Sequence, residues 1–349
     1  MSEMPIYVED MIDGAVGRIK NLNYTNTVTY AFITDTHNCT TYTERALYAI
    51  DKISRRVPVS FTCFGGDYLC NDNHTSKEEA IRQHKELADL VKQYNRPDLP
   101  IMVANGNHDE NPFGTRDMEL TQKEVHDILM SHHGEMFVCD ENAPLNKYGY
   151  YDDEKNKLRA IFLDIMDAPT IDGQQLRHCY AFGNGQLNWV ANTALKLPGK
   201  DWGVVLFAHY APIPVYPKRA GALFGGNALW EILMAFKNGT SYSASEKSGA
   251  FFYDVSCDFT QQGEGELIGY FFGHEHADLI YSNRGTPIIG CLHLASDNFG
   301  ADPCTDGTRH FKTRGSGEES AFSFFTVNRE ERRINCVRCG AGPDFSANY

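Results

Sequence analysis

Short apolar runs alternate with helical patterns along this chain. Six apolar runs predict strands, at 28–34, 59–64, 101–104, 158–163, 204–208 and 267–272. Apolar residues at helical spacing predict helices over 75–94 and 186–197, and the sequence TQKE at 121–124 has the form of a capping box that begins another helix. Strands that alternate with helices are typical of an α/β fold.

The last part of the chain is richer in strand pattern. Residues 321–340 predict a hairpin that completes a sheet, with its turn at 328–331. The Gly- and Ser-rich stretches 241–249 and 305–317 predict surface loops. Since no internal repeat interrupts the pattern, we expect one domain over 1–349, with a motif-bearing core at about 28–297.

The composition is that of a globular protein. Of 349 residues, 42% are hydrophobic and 22% are charged, which is enough to bury a substantial core. The first twenty residues have no basic stretch followed by an apolar one, and no run of eighteen apolar residues occurs, so neither a secretory signal nor a membrane span is predicted. We therefore expect a cytoplasmic protein with reduced cysteines. Cys336 and Cys339 form a lone C-x-x-C, which we interpret as structural because no second C-x-x-C completes a zinc site.

The net charge limits the partners. A formal charge of −14 argues against nucleic-acid binding, which needs clustered Lys and Arg. An anionic substrate would therefore need a binding site whose local charge is positive.

Side chains that bind metals follow five of the predicted strands. They are Asp35 and His37, then Asp67, then Asn107 with His108 and Asp109, then His209, and last His274 and His276. One strand-end histidine is more often structural, but five such groups at the carboxyl ends of strands predict a convergent site. Mixed Asp, His and Asn ligands suit divalent ions such as Mn, Fe, Zn, Co or Ni.

These motifs resemble those of the calcineurin-like metallophosphoesterase superfamily. The match is carried by Asp35-Thr36-His37, Gly66-Asp67, Gly106-Asn107-His108-Asp109, His209 and Gly273-His274-Glu275-His276, in the family order. The resemblance implies an α/β fold of four layers, in which two mixed β-sheets lie between helices and a dinuclear centre lies at the strand ends. By position, Asp35, His37 and His276 would hold one metal, Asn107, His209 and His274 the other, and Asp67 would bridge both. His108 corresponds to the family's histidine near the leaving group.

Such a centre has a plain chemical logic. Two divalent ions roughly 3.5 to 4 Å apart can bind both the attacking and the leaving oxygen of a phosphate ester and can form a bridging hydroxide near neutral pH. Because Asn107 is an uncharged ligand, the site would keep a positive charge that attracts an anion. His108 would be a general acid or a clamp on the phosphoryl oxygen, and we expect Asp109 to fix its tautomer and keep it protonated.

Departures from the family pattern narrow the subclass. Purple acid phosphatases place a Tyr ligand three residues after the bridging Asp, where this chain has Cys70. Phosphoprotein phosphatases have a phosphate-binding Arg after G-D-Y and read G-N-H-E, whereas this chain lacks that Arg and has Asp109 in place of Glu. With these two subclasses disfavoured, the motif pattern resembles that of the group that contains cyclic-nucleotide and other phosphodiesterases. We predict a phosphodiesterase, with a phosphomonoesterase or nucleotidase, or a non-catalytic scaffold, as the alternatives.

Further residues are weaker candidates. The substrate is expected to be a phosphate ester, small or polymeric. Candidates for contacts to it are His178, His293 and Asn298, and candidates for contacts to its phosphate group are Arg45, Lys218 and Arg219. Asp164 and Asp167 end a strand but have no position in the motif, and we interpret them as structural.

Overall fold

Two β-sheets pack face to face at the centre of the molecule, with helices on their outer sides. The computed structural model describes residues 4–22, 25–69, 75–172, 174–215, 223–294 and 311–349. Its helices are α1 Ile6–Leu22, α2 Thr40–Ser54, α3 Lys77–Tyr94, α4 Gln122–Val125, α5 His133–Met136, α6 Asn184–Trp189 and α7 Gly226–Asn238. No helix in these ranges is long and apolar enough to cross a bilayer.

The strands fall into two large sheets and two short hairpins. In chain order they are β1 Thr27–Ile33, β2 Thr62–Phe64, β3 Ile101–Val103, β4 Val138–Cys139, β5 Gly149–Asp153, β6 Leu158–Phe162, β7 Thr170–Ile171, β8 Gln174–Gln175, β9 Gly203–Phe207, β10 Ser241–Ser248, β11 Phe251–Asp258, β12 Glu266–Phe272, β13 Leu279–Asn283, β14 Thr286–Gly290, β15 Ala321–Asn328, β16 Arg333–Gly340 and β17 Phe345–Asn348. The first sheet has the order β17-β16-β15-β1-β2-β3 and the second β13-β14-β12-β9-β6-β5-β4.

Side chains along the central strands point alternately to the two faces of each sheet, and this alternation produces the layers of the fold. In β1, Ala31 and Ile33 pack against helices α1 to α3, whereas Tyr30 and Phe32 point into the space between the sheets. The second sheet repeats this arrangement and packs its outer face against α6 and α7. The rings of Phe207 on β9 and Phe271 on β12 stack 5.3 Å apart in the inter-sheet core. The predicted α/β fold with two sheets between helices is therefore confirmed.

Parallel strands direct the chain to one edge of each sheet. β1, β2 and β3 are mutually parallel, as are β6, β9, β12 and β14. β15 pairs antiparallel with β1, and β16 pairs antiparallel with β15, so the C-terminal hairpin extends the first sheet. All six predicted strands exist, and their ends differ from the predicted ones by at most three residues.

Local signals explain the helices that the sequence predicted. The Ser76 hydroxyl accepts a hydrogen bond from the backbone N–H of Glu79, 3.2 Å away, and caps α3. Thr121 and Glu124 form the predicted capping box, but α4 is a single turn that continues as a π-helix over His126–Met130. α6 likewise continues as a π-helix over Val190–Ala194.

One predicted loop is a strand. Residues 241–248 form β10, which pairs with β11 along its whole length. The prediction of a loop was wrong because β10 has no apolar run and lies in an exposed hairpin, where cross-strand pairing rather than burial holds it. Helices α1, α2 and α7 were not predicted at all.

The two cysteines of the C-x-x-C lie on opposite faces of β16. Cys336 packs between the sheets, and Cys339 packs on the helix side. Both are buried and free. Because side chains three residues apart on a strand point in opposite directions, this pair cannot bind one metal ion or form a disulfide, which agrees with the structural interpretation.

Candidate metal centre

The seven predicted metal ligands converge at one end of the sandwich. Asp35 and His37 follow β1, Asp67 follows β2, Asn107 follows β3, His209 follows β9, and His274 and His276 follow β12. Their donor atoms form two groups, within each of which the atoms lie within 4.8 Å of one another. One group is Asp35, His37 and His276, and the other is Asp67, His209 and His274.

The first group is built around two facing imidazoles. The Nε2 atoms of His37 and His276 lie 3.1 Å apart, and His276 Nε2 lies 3.2 Å from Asp35 Oδ1. His37 Nδ1 donates to the carbonyl oxygen of Leu69, 3.0 Å away, so its Nε2 carries a lone pair toward the centre. A cation fits where these lone pairs and the carboxylate meet.

The second group repeats this design. His209 Nδ1 donates to the carbonyl oxygen of Gly65, 2.7 Å away. His209 Nε2 then lies 3.0 Å from both Asp67 Oδ2 and the side-chain oxygen of Asn107. Two carboxylate or amide oxygens and an imidazole nitrogen again point at one position.

The charges of the cluster favour a bound cation. Asp35 and Asp67 are fully buried, and within the described ranges neither forms an ion pair with Lys or Arg. Burial lowers the pKa of His37 to about 4 and that of His274 to about 3, which keeps both imidazoles neutral. Burial also opposes charge on His209, but Asp67 and Asp35 raise its pKa to about 9. Buried carboxylates that have imidazoles and, among the described residues, no Lys or Arg as partners suit a divalent ion, which would take the place of the proton on His209.

The ligand loops have a strained backbone. Asp35, His37, Asp67, His274 and His276 all have positive φ angles, between 43° and 63°. Such left-handed conformations are uncommon outside glycine and cluster at functional sites. Backbone hydrogen bonds hold them, since Asp35 N donates to Gly66 O and His37 N donates to Asp67 O.

Two glycines allow the ligand loops to touch. A Cβ at Gly106 would lie 2.2 Å from Asp67 Oδ1, and one at Gly273 would lie 2.4 Å from Asp35 Oδ2. Any side chain at either position would displace a carboxylate of the centre.

His108 lies beside the centre with its ring largely buried. Its backbone N–H donates to Asp67 Oδ1, 2.9 Å away, and its Nε2 lies 3.8 Å from Asp67 Oδ2. Burial lowers its pKa, whereas the Asp67 carboxylate acts in the opposite direction.

Asp109 has different partners from those expected. Its carboxylate accepts hydrogen bonds from the backbone N–H groups of Asp67 at 3.1 Å, and of Tyr68 and Gly106 at 2.6 Å. No hydrogen bond of the described residues joins it to His108. Burial raises its pKa to about 7. Asp109 therefore fastens the loop after β2 to the loop after β3, and its expected role in fixing the tautomer of His108 has no support in the hydrogen bonds.

A buried ion pair that the sequence did not reveal supports the same loop. Lys147 pairs with Asp164, and Asp164 Oδ1 accepts a hydrogen bond from the Asn105 amide, 3.3 Å away. Asn105 stands two residues before Asn107. Lys147 is distant in sequence from Asp164 and from the loop after β3, and it follows no strand, so no sequence pattern predicted this ion pair. Asp164 thus has a structural role, as interpreted, and Asp167 accepts hydrogen bonds from Gly183 and Gln186.

The weaker candidates separate in the structure. Arg45 donates hydrogen bonds to Glu319 at 2.6 Å and to Tyr7 at 2.9 Å, and these contacts argue against a role in binding the phosphate of a substrate. The His293 ring stacks on that of His276, 4.6 Å away. His178 lies near His108, as described below. Cys70, Lys218, Arg219 and Asn298 lie outside the described residues.

Comparisons with solved structures find proteins whose structures resemble this one at low sequence identity. A Staphylococcus aureus protein to which 5′-nucleotidase activity has been ascribed is 13% identical, with a TM-score of 0.47 over 91% of this chain and 54% of that one. The NAD nucleotidase of Haemophilus influenzae is 10% identical, with a TM-score of 0.43 over 91% and 49%. The phosphopantetheinyl hydrolase of Mycobacterium tuberculosis is 13% identical, with a TM-score of 0.34 over 77% and 91%. The chain spans about half the length of the first two.

Likenesses this distant say nothing about the substrate. No curated protein sequence is significantly similar to the chain. The family model for calcineurin-like phosphoesterases, however, matches residues 28–278. This match includes every strand-end motif described above and most of the chain, and the chain therefore belongs to the calcineurin-like phosphoesterase family.

Proposed function

We propose that this protein is a phosphodiesterase that works with two divalent metal ions. The observation that carries the proposal is the pair of adjacent ligand groups, each with a buried carboxylate that has no Lys or Arg partner among the described residues. Asp35, His37 and His276 would hold one ion. Asn107, His209 and His274 would hold the other, and Asp67 would bind both.

The bound ions would polarise the phosphate ester and activate a water molecule near neutral pH. The chain's own residues then have separate tasks. Asn107 contributes an oxygen without charge, so that the centre keeps enough positive charge to bind an anion. The hydrogen bonds from His37 to Leu69 O and from His209 to Gly65 O fix both ring orientations in advance.

His108 is proposed to act on the leaving group. Water loses one proton to solvent and adds to phosphorus as the bond from phosphorus to the leaving oxygen breaks. That oxygen takes a proton from His108 Nε2, and His108 then recovers a proton from solvent. The products are an alcohol and a phosphate monoester. The backbone N–H of His108 donates to Asp67 Oδ1, 2.9 Å away, which holds this residue beside the proposed centre.

A diester fits this centre better than a monoester does. A monoester brings a second negative charge, which calls for a fixed Arg or Lys beside the ions. Among the residues that the structure describes, the buried lysines near the site are already engaged, since Lys147 pairs with Asp164 and Lys312 donates to His293 O at 2.6 Å. Burial also lowers the pKa of Lys312 to about 7, which weakens it as a permanent cation.

Two chromogenic substrates test the proposal. Protein reconstituted with Mn(II) should hydrolyse bis-p-nitrophenyl phosphate with a higher kcat/KM than p-nitrophenyl phosphate. A faster reaction on the monoester would replace the diesterase by a phosphomonoesterase or nucleotidase. No metal-dependent reaction on either substrate would instead favour a binding scaffold.

A further inference from the structure

The loop that follows β3 places an aromatic ring beside His108. The ring centroids of Phe113 and His108 lie 4.5 Å apart, with 35° between their planes. Phe113 is half-buried. If His108 gives its proton to the leaving oxygen, the rest of the leaving group must lie next to this ring.

His178 extends the same surface away from the centre. Its ring centroid lies 5.2 Å from that of Phe113. The side chain is exposed, and its backbone has a φ of 50°. We call Phe113 and His178 the aromatic platform.

Arg177 fixes the platform in place. Its guanidinium donates to the carbonyl oxygens of Pro112 and of Gly114, the two residues that flank Phe113. It also pairs with Glu119. Two segments more than sixty residues apart in sequence are thereby tied together around the two rings, so the stacking of Phe113 and His178 is held by more than their own contact.

A cleft begins where the platform ends. It has a volume of about 500 Å³, and its wall includes His178 together with the apolar side chains of Pro112, Leu120, Leu145 and Leu176. Clefts of this size bind small organic ligands. The platform therefore connects the proposed metal centre to a space that can hold a ring system.

The charges of the cleft disfavour a second phosphate group. Its four cations are each paired with a carboxylate among the described residues: Lys77 with Glu124, Arg116 and Arg177 with Glu119, and Lys123 with Asp127. An additional anionic group would compete with these carboxylates for the four cations. An uncharged group meets no such obstacle.

We propose that Phe113 and His178 bind the leaving group, and that the substrate is a phosphodiester whose leaving alcohol carries an uncharged planar ring. A nucleoside is the common biological alcohol of this kind. This inference rests on the proposed phosphodiesterase function and adds its substrate class. Stacking of a planar ring on an aromatic side chain is favourable for any base, because every base has a π-face.

Two diesters with leaving alcohols of similar acidity test this. Mn(II)-loaded protein should cleave methyl 1-naphthylmethyl phosphate to naphthylmethanol and methyl phosphate, with a higher kcat/KM than methyl cyclohexylmethyl phosphate. Phe113→Leu keeps an apolar side chain but no ring, and should reduce the ratio of the two kcat/KM values roughly 5- to 100-fold. Phe113→Tyr should keep the ratio. His178→Asn tolerates the left-handed backbone and should reduce the ratio by a smaller factor.

The outcomes separate this inference from the proposed function. Phe252, 56% exposed on β11, supplies the control, because Phe252→Ala should leave both rates unchanged. Equal losses on both diesters in Phe113→Leu would make Phe113 a support for His108 and overturn the platform. Release of methanol and naphthylmethyl phosphate would place the ring on the wrong side of phosphorus and overturn it too. No cleavage of either diester would overturn the proposed function together with this inference.

Discussion

The two ends of the β-sandwich treat charge in opposite ways. At the carboxyl ends of β1, β2, β3, β9 and β12, the buried carboxylates of Asp35 and Asp67 have imidazoles as neighbours and, among the described residues, no Lys or Arg. At the opposite end, a cleft of about 520 Å³ is lined by Lys157, Asp201, Glu266 and Arg329. There the charges balance, because Arg329 pairs with Glu266 and Lys157 pairs with Asp201.

The backbone differs between the two ends as well. Both have residues with positive φ, but Asn26 and Lys157 at the opposite end are exposed turn residues. Asp35 and Asp67 adopt this conformation while fully buried. A charged cleft is therefore not enough to identify a site. What distinguishes the proposed metal centre is a pair of buried carboxylates that have no Lys or Arg partner among the described residues and stand on a strained backbone.

Removal of metal should have the largest effect, and only at the end with unbalanced charge. A chelator should abolish diester hydrolysis, and Mn(II) should restore it. Ligand binding to the native state alone stabilises it, by about 2.7 kcal/mol at a concentration of one hundred times Kd, so Mn(II) should also raise the Tm. Elemental analysis of active, dialysed protein should find close to two ions per chain. Well under one ion per chain in active protein would contradict the proposal.

Substitution of the proposed bridging ligand should come next. Asp67→Asn keeps the shape of the side chain but removes its charge, and metal affinity at both positions should fall more than about 100-fold, beyond the effect of losing an indirect partner. His37→Ala should empty mainly one position. Asp201→Asn makes the same chemical change at the balanced end and should leave the metal content unaltered. Retention of two ions by Asp67→Asn would show that this carboxylate bridges nothing.

Loss of His108 should reduce the rate of hydrolysis most for substrates with a poor leaving group. General acid catalysis contributes about 10² to 10⁴-fold, and p-nitrophenolate needs little of it. His108→Ala should therefore keep both ions, lose most activity on an alkyl or nucleoside diester, and lose much less on bis-p-nitrophenyl phosphate. Equal losses on both substrates, with the metal content unchanged, would mean that His108 stabilises charge on the phosphoryl group instead.

Sequence patterns predicted the strand ends well because they depend on two local features. A short apolar run followed by Asp, Asn or His is visible without any knowledge of tertiary contacts, and the parallel sheet then brings such ends together. The capping box that begins at Thr121 is local in the same sense. For this reason the sequence predicted the fold and pointed to seven side chains that the fold brings to one end of the sandwich.

Features that depend on distant contacts were missed. β10 has no apolar run, and only its pairing with β11 makes it a strand. Asp109 was expected to orient its neighbour His108, but its carboxylate turns toward the N–H groups of Asp67, Tyr68 and Gly106. Which N–H groups a loop presents is decided by its packing, and the sequence alone does not contain that information.

The smallest effect on catalysis should come from the balanced end. Glu266 accepts hydrogen bonds from Arg329 Nε at 3.0 Å and from the Tyr349 hydroxyl at 2.8 Å. Glu266→Gln removes the charge from this partly exposed network and should lower the free energy of unfolding by about 1 to 2 kcal/mol, in a urea titration of the metal-loaded protein. Tyr349→Phe, which removes one hydrogen bond, should cost about 1 kcal/mol or less. Neither change should alter kcat/KM on a diester or the metal content, because neither side chain lies near the ligand loops. A loss of activity in Glu266→Gln without unfolding would show that the two ends are coupled, and the contrast between a structural and a functional end would fail.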